Sequence, residues 1–132
     1  MMRQAALGLA IGLLPMGAGA QVSRVPAIPT IVIHLNNFSF APDQIQLRDG
    51  TTVRLHLVND SSGSHNFSAS ELFATSTFPA GGAPPQGQVE VAGNSSTDLE
   101  LTPQSPGTYQ FDCTHFLHHM FGMQGTIVVL AR

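Results

Sequence analysis

One cysteine, Cys113, stands in the stretch Tyr109-Gln-Phe-Asp-Cys-Thr-His-Phe-Leu-His-His-Met-Phe-Gly-Met123, and it is the only cysteine in the chain. His115, His118, His119, Met120 and Met123 follow it within ten positions. A thiolate, imidazoles and a thioether in one short segment are soft and borderline donors, the set that copper prefers. A mononuclear copper electron-transfer site uses two imidazoles and a thiolate in a plane, with a long, weak bond to an axial methionine. The spacing Cys113, four residues, His118, four residues, Met123 supplies three of those four ligands, so a second histidine must come from elsewhere. His65, in Ser64-His65-Asn66-Phe67, is the candidate, because it follows a polar loop and begins an apolar stretch. Such a position lies at one end of a strand, where the Cys113 loop is also expected.

Other donors keep the assignment open. His119 in place of His118 leaves three residues before Met123, and His115 forms a Cys-x-His pair. Met120 is only two residues beyond His118, too near to reach across an axial position. His34 and His56 fall at outward positions of alternating segments and read as solvent-facing imidazoles. Phe116, Leu117 and Phe121 read either as core or as an apolar ring that dries the site. Zinc would suit Cys and His but leave the methionine without a purpose. A copper-free domain with a buried thiol is the competing account, since a free cysteine is often simply buried.

The elements that position these residues follow from hydrophobic period. Ile31, Ile33 and Leu35 alternate with Val32 and His34, and Phe38, Phe40, Ile45 and Leu47 continue the pattern across a Pro42-Asp43 turn. Val53, Leu55 and Leu57 alternate with Arg54 and His56. Val89-Glu-Val91, Leu99-Glu-Leu101 and Tyr109-Gln-Phe111 repeat the pattern, with turns at Asp49-Gly50, Gly93-Asn94 and Pro106-Gly107. Period-two segments separated by such turns are strands. One helical turn fits 71–74, and the Pro/Gly-rich stretch 79–87 reads as an irregular surface loop whose role the sequence does not give. The fold class is therefore all-β, an antiparallel Greek-key β-sandwich of about seven strands. Tyr109, soon after Pro106-Gly107, stands where a tyrosine corner would.

Composition narrows the setting. Residues 1–20 read as a signal peptide: Arg3, an apolar run from Ala5 to Leu14 and a cleavage site at Ala18-Gly19-Ala20. Residues 21–29 read as a flexible leader and 30–132 as one domain, so roughly 110 residues remain after cleavage, a single-domain length. The protein is then periplasmic or secreted, and a lone cysteine there cannot form an internal disulfide. Lysine is absent, the arginines are scattered and the net charge is −3, so nucleic acid is a poor partner.

These pieces resemble the cupredoxin family, the small blue copper proteins that include plastocyanin and azurin. The matching segments are Asn36-Asn-Phe-Ser-Phe-Ala-Pro-Asp43, Ser64-His-Asn-Phe67, Gly107-Thr-Tyr-Gln-Phe-Asp-Cys113 and Gly122-Met-Gln-Gly-Thr-Ile-Val-Val129. The Cys-x4-His-x4-Met spacing is most like the phytocyanin branch. The resemblance implies His65, Cys113 and His118 as equatorial ligands, Met123 as axial ligand, and one copper ion cycling between Cu(I) and Cu(II). It also implies that Asn66 ties the two ligand loops together near the sulfur. The expected function is one-electron transport between redox partners by a monomer with no membrane span in its mature chain and no enzymatic activity. The alternative is a periplasmic copper-binding or delivery protein, which the extra His115, His119 and Met120 favour.

Overall fold

The computed structural model describes residues 12–115 and 117–132, and of His119 only the backbone. The n-region and start of the apolar run, Phe116 and the His119 side chain lie outside the described residues. In chain order the elements are β1 (Thr30–Asn36), β2 (Ser39–Ala41), β3 (Gln44–Arg48), β4 (Val53–Asn59), β5 (His65–Ser68), α1 (Ser70–Ala74), β6 (Ser76–Thr77), β7 (Gln88–Val91), β8 (Ser96–Pro103), β9 (Gly107–Asp112) and β10 (Gln124–Leu130). Residues 12–29 are exposed and form no regular element.

The strands form two five-stranded sheets, β2-β1-β4-β8-β6 and β3-β10-β9-β5-β7. The alternation marks which side chains fill the space between them. Val53, Leu55 and Leu57 of β4 are buried, as are Ile33 and Leu35 of β1, Leu99 and Leu101 of β8, and Ile127 and Val129 of β10. Phe40, Phe67 and Phe111 meet in the centre, with ring centroids 4.8 to 6.0 Å apart. His34 and His56 face outward, beside Asp60 and Asp98 respectively. Tyr109 makes the corner expected of it: its hydroxyl donates to the Ser105 carbonyl at 2.8 Å.

The expected β-sandwich is present, with three differences of detail. Two strand pairs are parallel, β1 with β4 and β10 with β3, so both sheets are mixed. The described strands number ten, because the first extended stretch is cut into three and the two-residue β6 adds a strand after the helical turn. It hairpins at Asn37–Phe38, pairing Asn36 with Ser39, then crosses at Pro42 to join the other sheet as β3. Phe38 consequently does not continue the alternating strand pattern that its spacing from Phe40 suggested. It sits in the hairpin turn with φ +63 and is 42% exposed. Among the described residues no helix is long and apolar enough to cross a membrane.

Candidate metal centre

His65, Cys113 and His118 come together at one end of the sandwich. His65 opens β5, whose side chains at 65 and 67 share the inner face. Cys113 directly follows β9, on the same face as Phe111. The two strands lie in one sheet, with Ser68 opposite Asp112. The segment from 113 to 123 then doubles back on its own backbone bonds. The Cys113 amide donates to the Met123 carbonyl, the Met123 amide to the His118 carbonyl, and the His118 amide to the His115 carbonyl, each at 3.1 Å. Leu117 (φ +67) and Gly122 (φ +90) make the reversal possible.

The candidate ligand atoms form a compact triangle. His65 Nδ1 lies 3.0 Å from His118 Nδ1 and 3.9 Å from Cys113 Sγ, and Cys113 Sγ lies 3.3 Å from His118 Nδ1. A point equidistant from the three corners is about 2 Å from each, the length of a metal–imidazole bond. Three side chains from two loops therefore present their lone pairs to one place. This arrangement fits a single type 1 copper ion. His65 is buried and Cys113 fully so, whereas His118 is only half-buried.

Electrostatics suit a neutral, dry site. Burial lowers the pKa of His65, assisted by the His118 and His115 imidazoles. Burial also lowers that of His118, with His115 adding to it. Both rings thus stay uncharged and able to ligate. The Cys113 thiol is pushed up by burial, against backbone hydrogen bonds from Asn66 and His115 that act the other way. Without metal it stays protonated, so a cation that binds must displace that proton.

A pH dependence follows for the metal-free protein. His65 and His118 bind protons less readily folded than unfolded, so stability is full above the ordinary imidazole value of 6.5 and declines as pH falls below it. Cys113 acts at the other end: its thiol ionises more readily unfolded, so stability declines again toward alkaline pH. Urea midpoints measured from mildly acidic to alkaline pH should trace this maximum near neutrality. A midpoint that rises on acidification contradicts it.

The surroundings hold the triangle in place. Asn66 bridges the two loops: its Oδ1 accepts from the Thr114 amide at 2.8 Å and its Nδ2 donates to Thr114 Oγ1 at 2.7 Å. Its own amide donates to Cys113 Sγ at 3.4 Å. His115 is engaged elsewhere, its Nε2 paired with Glu90 at 3.0 Å while its ring stacks on His118. Met123 is fully buried, whereas Met120 is 78% exposed. Leu117 and Phe121 are exposed rather than core, and Phe38 meets His118 edge-on with centroids 5.3 Å apart.

Some of these partners escape sequence reasoning. Phe38 and Glu90 carry no local signal of their role. Ser61, whose Oγ lies 2.9 Å from His65 Nε2 and 2.7 Å from Asn59 Oδ1, carries one together with Asn59, since Asn-x-Ser after a strand is a side-chain-to-backbone turn signal. Its fit to His65 emerges only from the fold. The loop that holds Ser61 is packed tightly: a Cβ at Gly93 would lie 2.1 Å from the Ser62 carbonyl oxygen.

Known proteins bear on this site. The family model described as a cupredoxin-like domain matches residues 8–129. No curated protein matches the chain significantly. Among solved structures the chain is similar to dithionite-reduced auracyanin from the photosynthetic bacterium Roseiflexus castenholzii, at 22% identity and TM-score 0.61, covering 80% of this chain and 99% of that one. It is similar to auracyanin B at 23% identity and TM-score 0.60, covering 83% and 93%. A reduced amicyanin mutant matches at 22% identity and TM-score 0.51, covering 76% and 82%. At these identities the structural likeness speaks for the fold.

Proposed function

Because the chain belongs to the cupredoxin-like family, we propose that it is a periplasmic or secreted type 1 copper protein that carries single electrons between redox partners, not an enzyme. The observation that carries this reading is the triangle of His65 Nδ1, Cys113 Sγ and His118 Nδ1. His65, Cys113 and His118 would hold the copper, with Met123, fully buried and tied by backbone hydrogen bonds to Cys113 and His118, as the fourth ligand. The copper supplies one-electron chemistry, and the protein's part is to keep its surroundings unchanged between oxidation states.

The chain's own residues serve that end. Asn66 locks the Cys113 loop to β5, and its amide, like that of His115, places a donor at the sulfur. Such donors tune a metal site. Half-buried His118 is the exit for the electron, ringed by exposed Phe38, Leu117 and Phe121, which suit a small, dry contact with a partner. The reduced states in which an auracyanin and an amicyanin were solved accord with a redox role.

The test is a visible spectrum of the Cu(II)-loaded protein. An intense thiolate-to-copper band is expected, absent in Cys113→Ser. Colourless copper-loaded wild type refutes the reading. The exposed thioether of Met120 favours the second reading, copper delivery. Slow electron exchange with a soluble cytochrome together with fast copper release to a chelator would select it.

A further inference from the structure

The far side of the His65 ring faces a chain of hydrogen bonds that begins at Asn59. Asn59 ends β4 and is 1% exposed. Its amide orientation is dictated by backbone groups that have no choice of role. Nδ2 donates to the carbonyls of Gly63 at 2.8 Å and Val91 at 3.0 Å, while Oδ1 accepts from the Ser61 amide at 3.0 Å. The oxygen therefore faces Ser61.

Ser61 has one hydroxyl proton and three neighbours for its Oγ. Asn59 Oδ1 at 2.7 Å and the Gly63 carbonyl at 3.1 Å can only accept. The third neighbour is His65 Nε2 at 2.9 Å. The proton goes to Asn59 Oδ1, the nearer acceptor, because the reverse orientation would press two bare oxygens together at hydrogen-bond distance. Ser61 Oγ is then left with lone pairs toward the imidazole, so Nε2 carries the ring hydrogen. The neutral ring has one N–H, and Nδ1 is a bare lone pair. That atom is the one aimed at Cys113 and His118.

We propose that the Asn59–Ser61 pair is a positioning relay that holds His65 in the Nε2–H tautomer and orients its Nδ1 as a preformed metal ligand. Ser61 touches no metal-facing atom and acts only through the far side of the ring. Outer-shell partners of this kind typically contribute about 10- to 100-fold to metal affinity. The tautomer part stands on hydrogen bonds alone, and the affinity part rests on the copper reading above.

Ser61→Ala isolates the hydroxyl, since the Ser61 amide can still donate to Asn59 and keep the turn. Ser61→Thr retains a hydroxyl and is the rescue variant. The first readout is the imidazole nitrogens of metal-free protein labelled with 15N-histidine, at neutral pH. Wild type should show His65 protonated at Nε2, with a proton protected from exchange. Ser61→Ala should lose that protection and Ser61→Thr should keep it. The second readout is Cu(I) affinity by competition with a chromogenic chelator, expected to fall about 10- to 100-fold in Ser61→Ala and to return in Ser61→Thr. A wild-type His65 protonated at Nδ1 overturns the relay. So does a Ser61→Ala variant whose Nε2 proton and copper affinity match wild type. A wild-type protein that fails to show the copper band would sink the proposed function while leaving the nitrogen measurement to decide the tautomer.

Discussion

Asn66→Ala should destabilise the metal-free protein by about 1–2 kcal/mol, the loss of hydrogen bonds whose partners lie partly within reach of water. Asn66 is almost completely buried and holds Thr114 through both its amide oxygen and its amide nitrogen, with further bonds to Glu90 and Gln88. Alanine removes this bridge between the start of β5 and the residue after Cys113. The Thr114 amide then loses its acceptor. The Asn66 backbone amide still reaches Cys113 Sγ, so the loss falls on the link between the loops and not on the donor to the sulfur. Urea denaturation measures the first effect. Amide exchange at Thr114 should speed up more than exchange at Ile127, deep in β10, which separates local loosening from general loss of stability. A drop below about 0.5 kcal/mol, the range of an ordinary surface change, would mean that Asn66 does not bridge the loops.

The same residue shows what is readable from a sequence of this kind. The ends of strands are visible through alternation, and His65 and Cys113 stand at such ends, so their meeting at one end of the sandwich is legible. The loop return from His118 to Met123 is legible as well, since spacing sets reach. Alternation does not distinguish parallel from antiparallel neighbours, because side chains point to opposite faces every second residue in either case. The parallel pairing of β1 with β4 and of β10 with β3 is therefore invisible until the fold is known. Phe38 misleads for a different reason. A bulky residue at positive φ is unusual, so its spacing from Phe40 reads as one continuous strand face. The hairpin instead turns it onto His118. Asn59 and Ser61 are readable only as a turn signal, and their specificity lies in which of their neighbours can only accept, a property of three-dimensional surroundings.

His118→Ala should weaken copper binding by more than about 100-fold, beyond what loss of an outer-shell contact produces, while His115→Ala should change it by less than about tenfold. The two imidazoles are three residues apart and stacked, at a centroid separation of 5.5 Å, so sequence position alone does not separate them. Their nitrogens do. His118 Nδ1 is within 3.3 Å of the sulfur and 3.0 Å of His65 Nδ1, whereas His115 Nε2 is held by the Glu90 carboxylate. Swinging His115 into the triangle would forfeit that pair and the stack, and an exposed ion pair is worth too little to make its loss on alanine substitution severe. His115→Ala also removes a neighbour that depresses the pKa of His118. Protons should then compete with copper slightly more at mildly acidic pH, and the affinity difference between wild type and His115→Ala should widen as pH falls. Copper affinity of both variants and of His119→Ala, measured by chelator competition at two pH values, checks the assignment. If His119→Ala is the variant that loses more than about 100-fold and His118→Ala is close to wild type, the ligand role passes to His119 and the three-residue spacing to Met123 becomes the operative one.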